Sequence, residues 1–322
     1  MMDAAERALF TDSIERAASA RSGDELDAAL VELGWIEALV ADRAAAVSVL
    51  FEAMGKSNAT TSALDAVLSA ALGKADPDAA AFVLPPLRAV EAPGRRDGGQ
   101  LTVVGLGTRA LAHRDTAGIV AKPPASTEAF RVPAPALKVE PTHGLDPALG
   151  LVEVSGEFDP ASLPAPSVVD WGDVVAVGQL CLGHELVGAG RTMLALARRH
   201  ALERVQFGRP IASFQAVRHR LAESLVALDA ADALLAAAWE VPVPDPTLAA
   251  MAKALAGRSA RTVARHCQQV LAGIGFTTEH DLHRFVRRTI VLDQLLGAAS
   301  VLTRRLGAEV LATKSLPASL PL

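Results

Sequence analysis

The stretch Arg204-Val205-Gln206-Phe207-Gly208 contains residue types that suit a flat, anionic ligand. A guanidinium at the end of a helix can donate two parallel hydrogen bonds to a phosphate, and the nearby aromatic ring offers its edge to a planar group. Taken alone, the stretch also fits an ordinary helix end with a charged rim. It therefore predicts a phosphate-binding corner only if other residues support it.

A second stretch supplies that support. Gln269 is followed by Gly273 and Gly275, which end a long helical segment. Glycines at a helix end let the backbone approach an anionic ligand closely. This stretch alone is again compatible with a plain helix terminus. The two together are much more specific, and they predict a site for a flat ligand that carries phosphate.

A third pattern, Gly105-Leu106-Gly107 after a strand-like run, imitates a dinucleotide-binding fingerprint. That fingerprint requires a full helix whose first turn faces the pyrophosphate. Here the segment from Asp115 to Gly118 interrupts after barely two turns, and another strand-like run follows. The pattern therefore predicts a turn between strands.

Metal and nucleophile patterns are weak. His280 and His283 share a helix face, but no third ligand cluster lies near them in the sequence, and Cys181 and Cys267 lack the spacing of a zinc site. The sequence holds no G-x-S-x-G motif for a serine nucleophile. Structural or surface roles are predicted for these histidines and cysteines, and no metal site is predicted.

Composition excludes several classes of protein. The 322 residues are 51% hydrophobic and 21% charged, which is ample for a large core. A net charge of −5, only 4% aromatic residues and no tyrosine argue against nucleic-acid binding. No apolar run is long enough to span a bilayer, the first residues do not resemble a secretory signal, and two cysteines make no disulfide framework. We expect a cytoplasmic protein without a membrane partner.

Helical periodicity and turn residues divide the chain into three parts, 1–74, 75–166 and 167–322. The first part has helical spacing, the second has many prolines between short apolar runs, and the third returns to long helices. The predicted fold is mainly α, with an N-terminal helical domain, a small middle β-domain and a C-terminal bundle of four or five helices.

One helix of the third part has a seven-residue repeat. Phe214, Leu221, Leu228 and Leu235 recur at this interval, with Val217 and Leu225 beside them. This spacing is typical of a helix in an antiparallel bundle or against a partner. We expect the repeat to be buried.

Together, the two ligand-binding stretches resemble the C-terminal domain of the acyl-CoA dehydrogenases, flavoproteins that oxidise acyl-CoA thioesters to enoyl-CoAs. Leu33-Gly34-Trp35 and Glu52-Ala53-Met54-Gly55 are similar to the N-terminal helical domain of that family. Leu145-Asp146-Pro147 is similar to the end of its middle domain. The resemblance is strong over the last half of the chain and faint over the first.

The resemblance implies that this chain contacts FAD bound to a neighbouring subunit. Arg204 and Phe207 match the Arg and Phe of the family's R-x-x-F-G motif, which reach the partner's FAD. Gln269 and Gly273 match the Q-x-x-G-G-x-G turn that contacts the adenosine pyrophosphate, although Ala272 replaces the first glycine. Gln215 matches a Gln on the next helix.

The same resemblance implies that the catalytic base is missing. The family places its carboxylate either just before a glycine late in the chain or near the start of the long bundle helix. Those positions are Leu296 and Gly178, and the Arg beside the second is Gln179. Leu and Gly cannot accept a proton. The middle part also lacks a Thr-Glu-Pro-x-Ala-Gly-Ser-Asp-like segment, which in the family holds the isoalloxazine and the thioester.

Short, base-less chains of this kind resemble the non-catalytic β subunit of α2β2 acyl-CoA dehydrogenases from actinobacterial steroid degradation. The resemblance implies a full-length catalytic partner that holds most of the acyl-CoA and shares its FAD with this chain. Two alternatives stay open. One is a self-sufficient homo-oligomer with a relocated base, for which Asp173 and Glu185 are candidates; the other is an assembly or regulatory subunit without flavin.

Overall fold

The computed structural model describes residues 2–72, 80–97, 99–122, 127–241 and 243–314. Helices fill the beginning and the end of the chain, and strands lie between them, as predicted. The predicted boundary at residues 74 and 75 lies outside the described residues.

Five helices form the described portion of the N-terminal part, residues 2–72. Asp3 starts the first helix through a capping box with Glu6, in which each side chain accepts a hydrogen bond from the other residue's backbone. Gly34, with a φ of +69°, allows the sharp turn that places the indole of Trp35 in the core, where it donates to the carbonyl of Ala46. The helices are α1 (Ala4–Ala20), α2 (Asp24–Glu32), α3 (Trp35–Ala41), α4 (Arg43–Ser57) and α5 (Ala63–Ala71).

The middle part is an eight-stranded mixed sheet. The antiparallel pair β3 and β7 has the longest register in it, and alternating residues of β3, such as Leu101 and Val103, are buried in a separate small core. The order across the sheet is β6-β7-β3-β2-β4-β5-β8, and β1 pairs with β4. The strands are β1 (Ala80–Phe82), β2 (Gly94–Asp97), β3 (Gln100–Gly107), β4 (Thr116–Ala121), β5 (Glu128–Pro133), β6 (Lys138–Pro141), β7 (Val152–Phe158) and β8 (Ser167–Val168).

The fingerprint-like segment is a connection inside this sheet. After β3 the chain makes a short 3-10 turn over Arg109–Ala112 and enters β4. Gly105 and Gly107 pack against neighbouring side chains and backbone, where a side chain would overlap them. The predicted turn between strands is confirmed, because the helix that a dinucleotide site needs does not form here.

Up to Lys314, the described residues of the C-terminal part form five helices. Asp170 caps the first of them by accepting from the backbone N–H of Gly172, and Pro246 begins the third, where its missing N–H has no cost. The helices are α6 (Trp171–Glu203), α7 (Gln215–Ala238), α8 (Pro246–Leu271), α9 (Leu282–Gln294) and α10 (Ala299–Thr313). A two-stranded ribbon of β9 (Val205–Gln206) and β10 (Arg209–Pro210) joins α6 to α7. No described helix is both long and apolar enough to cross a bilayer.

Leucines on α7 fit against glycines on α6. Leu235 and Leu228 are fully buried and lie where a Cβ on Gly183 and on Gly190 would be, so the seven-residue interval occurs on both helices. Burial of the repeat is confirmed at these leucines, whereas Phe214 and Leu221 are half-buried. Leu225 is 51% exposed, so its predicted place beside the buried seam is wrong. It lies one turn before Leu228 but on the outer face of the helix.

Candidate functional site

The bundle topology brings the two ligand-binding stretches to one end of the molecule. The first residues of α6 and α8 lie together, because a Cβ on Gly172 would be 3.5 Å from Pro246. Both helices are also antiparallel to α7, because residues of α6 and of α8 that come later in the chain contact residues that come earlier in α7. The two helices therefore run in the same direction and end on the same side. There His266 of α8 contacts the carbonyl of Arg220 on α7, at 3.2 Å. We call this side, formed by residues 198–220 and 261–287, the basic end.

The turn after α6 presents an aromatic ring to the exterior. Phe207 and Gly208 both have positive φ values, +55° and +77°, as a two-residue hairpin turn with right-handed twist requires. The ring of Phe207 is 91% exposed and meets Phe214 edge-on, at 6.1 Å between centroids. The guanidinium of Arg209 covers the other ring, at 4.4 Å from the centroid of Phe214. Phe207 is thus a projecting edge with no core role.

The turn after α8 keeps a glycine-like backbone although Ala272 replaces the family's glycine. Ala272 has φ +53° and ψ −134°, a conformation that costs an L residue about 1–3 kcal/mol. Gly273 follows in the open, and a Cβ there would meet nothing within 4 Å. Backbone geometry at this turn therefore follows the Q-x-x-G-G-x-G pattern despite the substitution.

The residues that match the family's FAD contacts are exposed and available. Arg204, Gln215 and Gln269 are all exposed, and within the described parts of the chain their side chains form no hydrogen bond or ion pair. Unpaired donors beside an open glycine and an exposed ring suit a dinucleotide with a pyrophosphate. The residues present therefore fit the phosphate-bearing part of FAD approaching from outside the chain.

The two positions that match the family's catalytic base touch each other. Leu296 is 1% exposed, and its Cδ1 occupies the place of a Cβ on Gly178, with Leu68 beside it. Leu296 has a φ of +50°, and two buried side chains hold its loop. Gln179 Nε2 donates to the carbonyl of Leu296 at 2.9 Å, and Lys253 Nζ donates to the carbonyl of Gly297 at 3.4 Å. Apolar packing therefore fills the space between the two positions at which the resemblance leads us to expect a catalytic carboxylate.

The sheet and the bundle are in direct contact next to this loop. The backbone N–H of Arg88 donates to the carbonyl of Gln294 at 2.7 Å, and the indole of Trp171 donates to the carbonyl of Val90 at 2.7 Å. Phe82 stacks on Trp171 with ring centroids 6.3 Å apart. One backbone hydrogen bond thus joins the segment that follows β1 to the end of α9, just before Leu296, and the indole of Trp171 joins the same segment to α6.

Glu185, one of the two candidate relocated bases, lies in a closed ionic cluster. Its carboxylate is 3.4 Å from Nη1 of the fully buried Arg288, whose Nε donates to Asp146. Burial raises the pKa of Glu185 to about 7, against the opposing charge of Arg288. Such a pKa suits a general base, but the group is 2% exposed and its neighbours are protein groups.

Asp173, the other candidate, lies in the first turn of α6. It is half-buried, and partial desolvation together with the charge of Asp170 raises its pKa. An acid in a first helical turn is favoured by the helix dipole. Its position therefore stabilises the start of α6. Among the described residues, no side chain pairs with Asp173 as a proton donor or acceptor.

Sequence reasoning missed two polar clusters. In the first, ligand atoms of Glu52, His184 and Asp232 lie within 4.8 Å of one another, but Arg191 bridges both carboxylates, and Lys56 bonds Glu52. Two cations on these acids oppose a metal ion. The residues come from three helices that are far apart in the chain, so no local spacing could have predicted the cluster.

The second is a cleft of about 850 Å³ between the N-terminal helices, the loop before β7 and the start of α9. Four arginines line it: Arg21, Arg109, Arg284 and Arg287. Asp146, also in the wall, is held by Arg288, whose Nη2 is buried and has no partner among the described residues. Arg284 and Arg287 follow the second ligand-binding stretch closely in the sequence, whereas Arg21 and Arg109 are far from both stretches.

Comparison with known proteins places the bundle in a family. Residues 173–311 match the family described as "Acyl-CoA dehydrogenase, C-terminal domain". The C-terminal helical part of the chain is therefore a domain of the acyl-CoA dehydrogenase family. Among curated proteins, the chain is 36% identical over 171 residues to "Acyl-CoA dehydrogenase IpdE2" of Mycobacterium tuberculosis. The aligned region covers 53% of this chain and 51% of the Mycobacterium tuberculosis protein. The corresponding protein of Mycolicibacterium smegmatis is 37% identical over 131 residues. The chain thus spans about half the length, or less, of these curated relatives.

Solved structures extend the similarity of fold to nearly the whole chain. The "ChsE4-ChsE5 complex from Mycobacterium tuberculosis" matches with a TM-score of 0.78 at 22% identity, over 99% of both chains. The "Tcur3481-Tcur3483 steroid ACAD G363A variant" matches with a TM-score of 0.77 at 22% identity, over 96% of both chains. At this identity the likeness shows the acyl-CoA dehydrogenase fold, which confirms the predicted helical, β and helical architecture.

Proposed function

We propose that this chain is the non-catalytic subunit of a flavin-dependent acyl-CoA dehydrogenase and that it completes the FAD site of a catalytic partner. The contact between Leu296 and Gly178 is the observation that carries this proposal, because apolar packing occupies both positions of the family's base. The exposed, unpaired Arg204 and Gln269 support the second half of the proposal, since they suit a ligand held by another chain.

Five residues would hold the cofactor. Arg204 would donate to the pyrophosphate, and Gln269, Gly273 and Gln215 would contact the adenosine side, while Phe207 would cover the flavin from outside. When bound, the flavin would accept from the acyl thioester one hydride, which carries both electrons of the oxidation, while the α-proton goes to a base. This chain's residues would bind and orient the cofactor and exclude water from one side of it.

The named neighbours support a heteromer and a substrate class. Two similar folds are described as a ChsE4-ChsE5 complex and as a Tcur3481-Tcur3483 steroid ACAD, so each comes from a two-component assembly. We propose an α2β2 complex in which the full-length subunit holds the acyl-CoA and removes its α-proton. The proposed substrate class is a steroid-derived acyl-CoA.

Co-expression tests this function. The chain is purified alone and after co-expression with a full-length acyl-CoA dehydrogenase from the same organism, and flavin absorbance is measured per chain. The expected result is little or no FAD on the chain alone, since half a site does not offset the cost of immobilising a large cofactor, and stoichiometric FAD in the complex. A homo-oligomer of this chain with one FAD per protomer would contradict the proposal.

One observation favours the self-sufficient alternative. The pKa of Glu185, about 7, is that of an effective base at neutral pH. Against it stands the geometry, because the carboxylate faces Arg288 inside the protein and is 2% exposed. For Glu185 to act, Arg288 would have to leave its contacts with Asp146 and the carbonyl of Ala59.

A further inference from the structure

The charges of this chain are strongly segregated. The basic end, residues 198–220 and 261–287, contains ten arginines and three acidic residues. The whole chain has 31 basic and 36 acidic residues, so 21 basic and 33 acidic residues remain elsewhere. A chain with a net charge of −5 therefore concentrates positive charge at the end that also presents Arg204, Phe207 and Gln269.

Few of these arginines are neutralised within the chain. Among the described residues, two arginines of the basic end form ion pairs, Arg261 with Asp293 and Arg284 with Asp281, and His266 lies 3.6 Å from the carboxylate of Glu223. The other exposed arginines of α6, α7 and their connection form none. They are Arg198, Arg199, Arg204, Arg209 and Arg218.

This surplus has two physical consequences. The pyrophosphate of one FAD supplies about two negative charges, which leaves most of the positive charge without a counterpart. In a twofold dimer through this end, the same patch would face itself, and like charges within about 8–10 Å repel at physiological salt.

We propose that the basic end docks on an acidic protein surface of the catalytic subunit, and that its charge opposes the pairing of two copies of this chain through the same end. The inference rests on the proposed function, because the acidic surface is assigned to the chain that also holds the FAD. Electrostatic complementarity of this kind selects the right partner and penalises the wrong one.

The test compares two triple variants in the complex with the co-expressed catalytic subunit. Arg198→Glu/Arg199→Glu/Arg218→Glu reverses three charges of the basic end without touching the residues assigned to FAD. Arg16→Glu/Arg43→Glu/Arg131→Glu makes the same change of net charge at exposed positions on α1, α4 and β5. The dissociation constant of the complex is measured by sedimentation or biolayer interferometry at about 50 mM and about 500 mM NaCl.

We expect the first variant to weaken association at low salt by more than about tenfold and the control to change it less than about threefold. Native association should weaken by about tenfold or more as salt rises. The chain alone should not form a twofold dimer through this end, as judged by cross-linking at a cysteine introduced at Ala216. A salt-insensitive complex, an equal effect of both variants, such a dimer, or equally tight binding to duplex DNA would overturn the inference.

Flavin absorbance separates this inference from the proposed function. A complex that contains FAD but assembles independently of salt would support the proposed function and contradict the electrostatic docking. Failure of any complex to hold FAD removes the proposed function, and the inference with it.

Discussion

The side chain of Leu296 packs directly on the backbone of Gly178 and fills the space that a Cβ there would need. Under the proposed function, these are the two positions that we expect to correspond to the family's alternative locations of the catalytic base. Their contact turns a potential reaction centre into part of the core, next to Leu68 of α5. This packing also requires Leu296 to adopt a positive φ, which Gln179 and Lys253 stabilise through the adjoining carbonyls.

A double-mutant cycle tests this contact. Gly178→Ala should destabilise the chain by about 1–3 kcal/mol through overpacking, and Leu296→Ala by about 2–5 kcal/mol through a cavity. The loss of unfolding free energy in the double variant should be smaller than the sum of the two single losses by at least about 1 kcal/mol, because the added methyl enters the vacated space. Urea unfolding measures each free energy.

The matched control for this cycle is Gly307→Ala on α10, whose Cβ would meet nothing within 4 Å. There the better helix propensity of Ala should stabilise by about 0.5–1 kcal/mol. Strict additivity at the two core positions would show that the side chain of Leu296 does not occupy the site facing Gly178.

Ala272→Gly should stabilise the chain. Ala272 adopts φ +53° and ψ −134°, where glycine has no steric penalty, so relief of strain should outweigh the added freedom of the unfolded chain by about 1 kcal/mol. Thermal or urea unfolding provides the measurement. Gly273→Ala, at an exposed neighbour with an open Cβ position, should shift stability by less than about 0.5 kcal/mol. A destabilised Ala272→Gly would mean that the backbone here does not have a positive φ.

Glu185→Gln should alter how stability depends on pH. Burial raises the pKa of Glu185 from 4.5 to about 7, so between these values the folded chain retains a proton that the unfolded chain releases. The stabilisation from this proton is fully present below pH 4.5 and is lost as pH rises through about 7. Relative to the native chain, the Gln variant should gain about 3 kcal/mol between about pH 4.5 and about pH 8.

Urea unfolding at both pH values measures that difference, with Glu25→Gln as an exposed control that should change stability little. The prediction is wrong if the native chain and Glu185→Gln differ in unfolding free energy by the same amount at both pH values. That result would place the carboxylate of Glu185 in contact with water.

Arg204→Ala should weaken the flavin site of the complex. Loss of a charge-assisted pair with a pyrophosphate should raise the dissociation constant of FAD more than about tenfold, and added FAD should partly restore turnover. Fluorescence of released flavin during dialysis measures the affinity. Arg16→Ala, an exposed arginine of α1, is the control and should bind FAD like the native complex. Unchanged affinity in Arg204→Ala would remove this side chain from the site.

Asp173→Asn and Glu185→Gln should leave turnover of the complex nearly intact, because under the proposed function neither carboxylate reaches the α-proton. Steady-state rates and flavin content are measured together. A true base would show the opposite pattern, with turnover abolished while flavin stays bound. That outcome in either variant, with assembly preserved, would transfer the chemistry to this subunit.

The sequence by itself determined the order of the three parts, the turn after β3 and the residue types at the end of the bundle. These features depend on local rules: turn residues, helical periodicity, and motifs within about 20 residues. The spacing of Leu228 and Leu235 also predicted a buried helix face, but it could not decide the side on which Leu225 lies. Leu225 is only three positions before Leu228 in the sequence, but it points to a different side of the helix, away from the buried face.

Only the tertiary structure decided which distant residues meet. Gln179 and Leu296 are 117 positions apart, and Glu185 lies 103 positions from Arg288, so neither contact leaves a local pattern in the chain. The same holds for the charges, because ten arginines in two separate stretches form one basic end only after α6 and α8 align in the same direction. Local propensity is encoded residue by residue, whereas burial, pKa and charge density depend on how helices pack against one another.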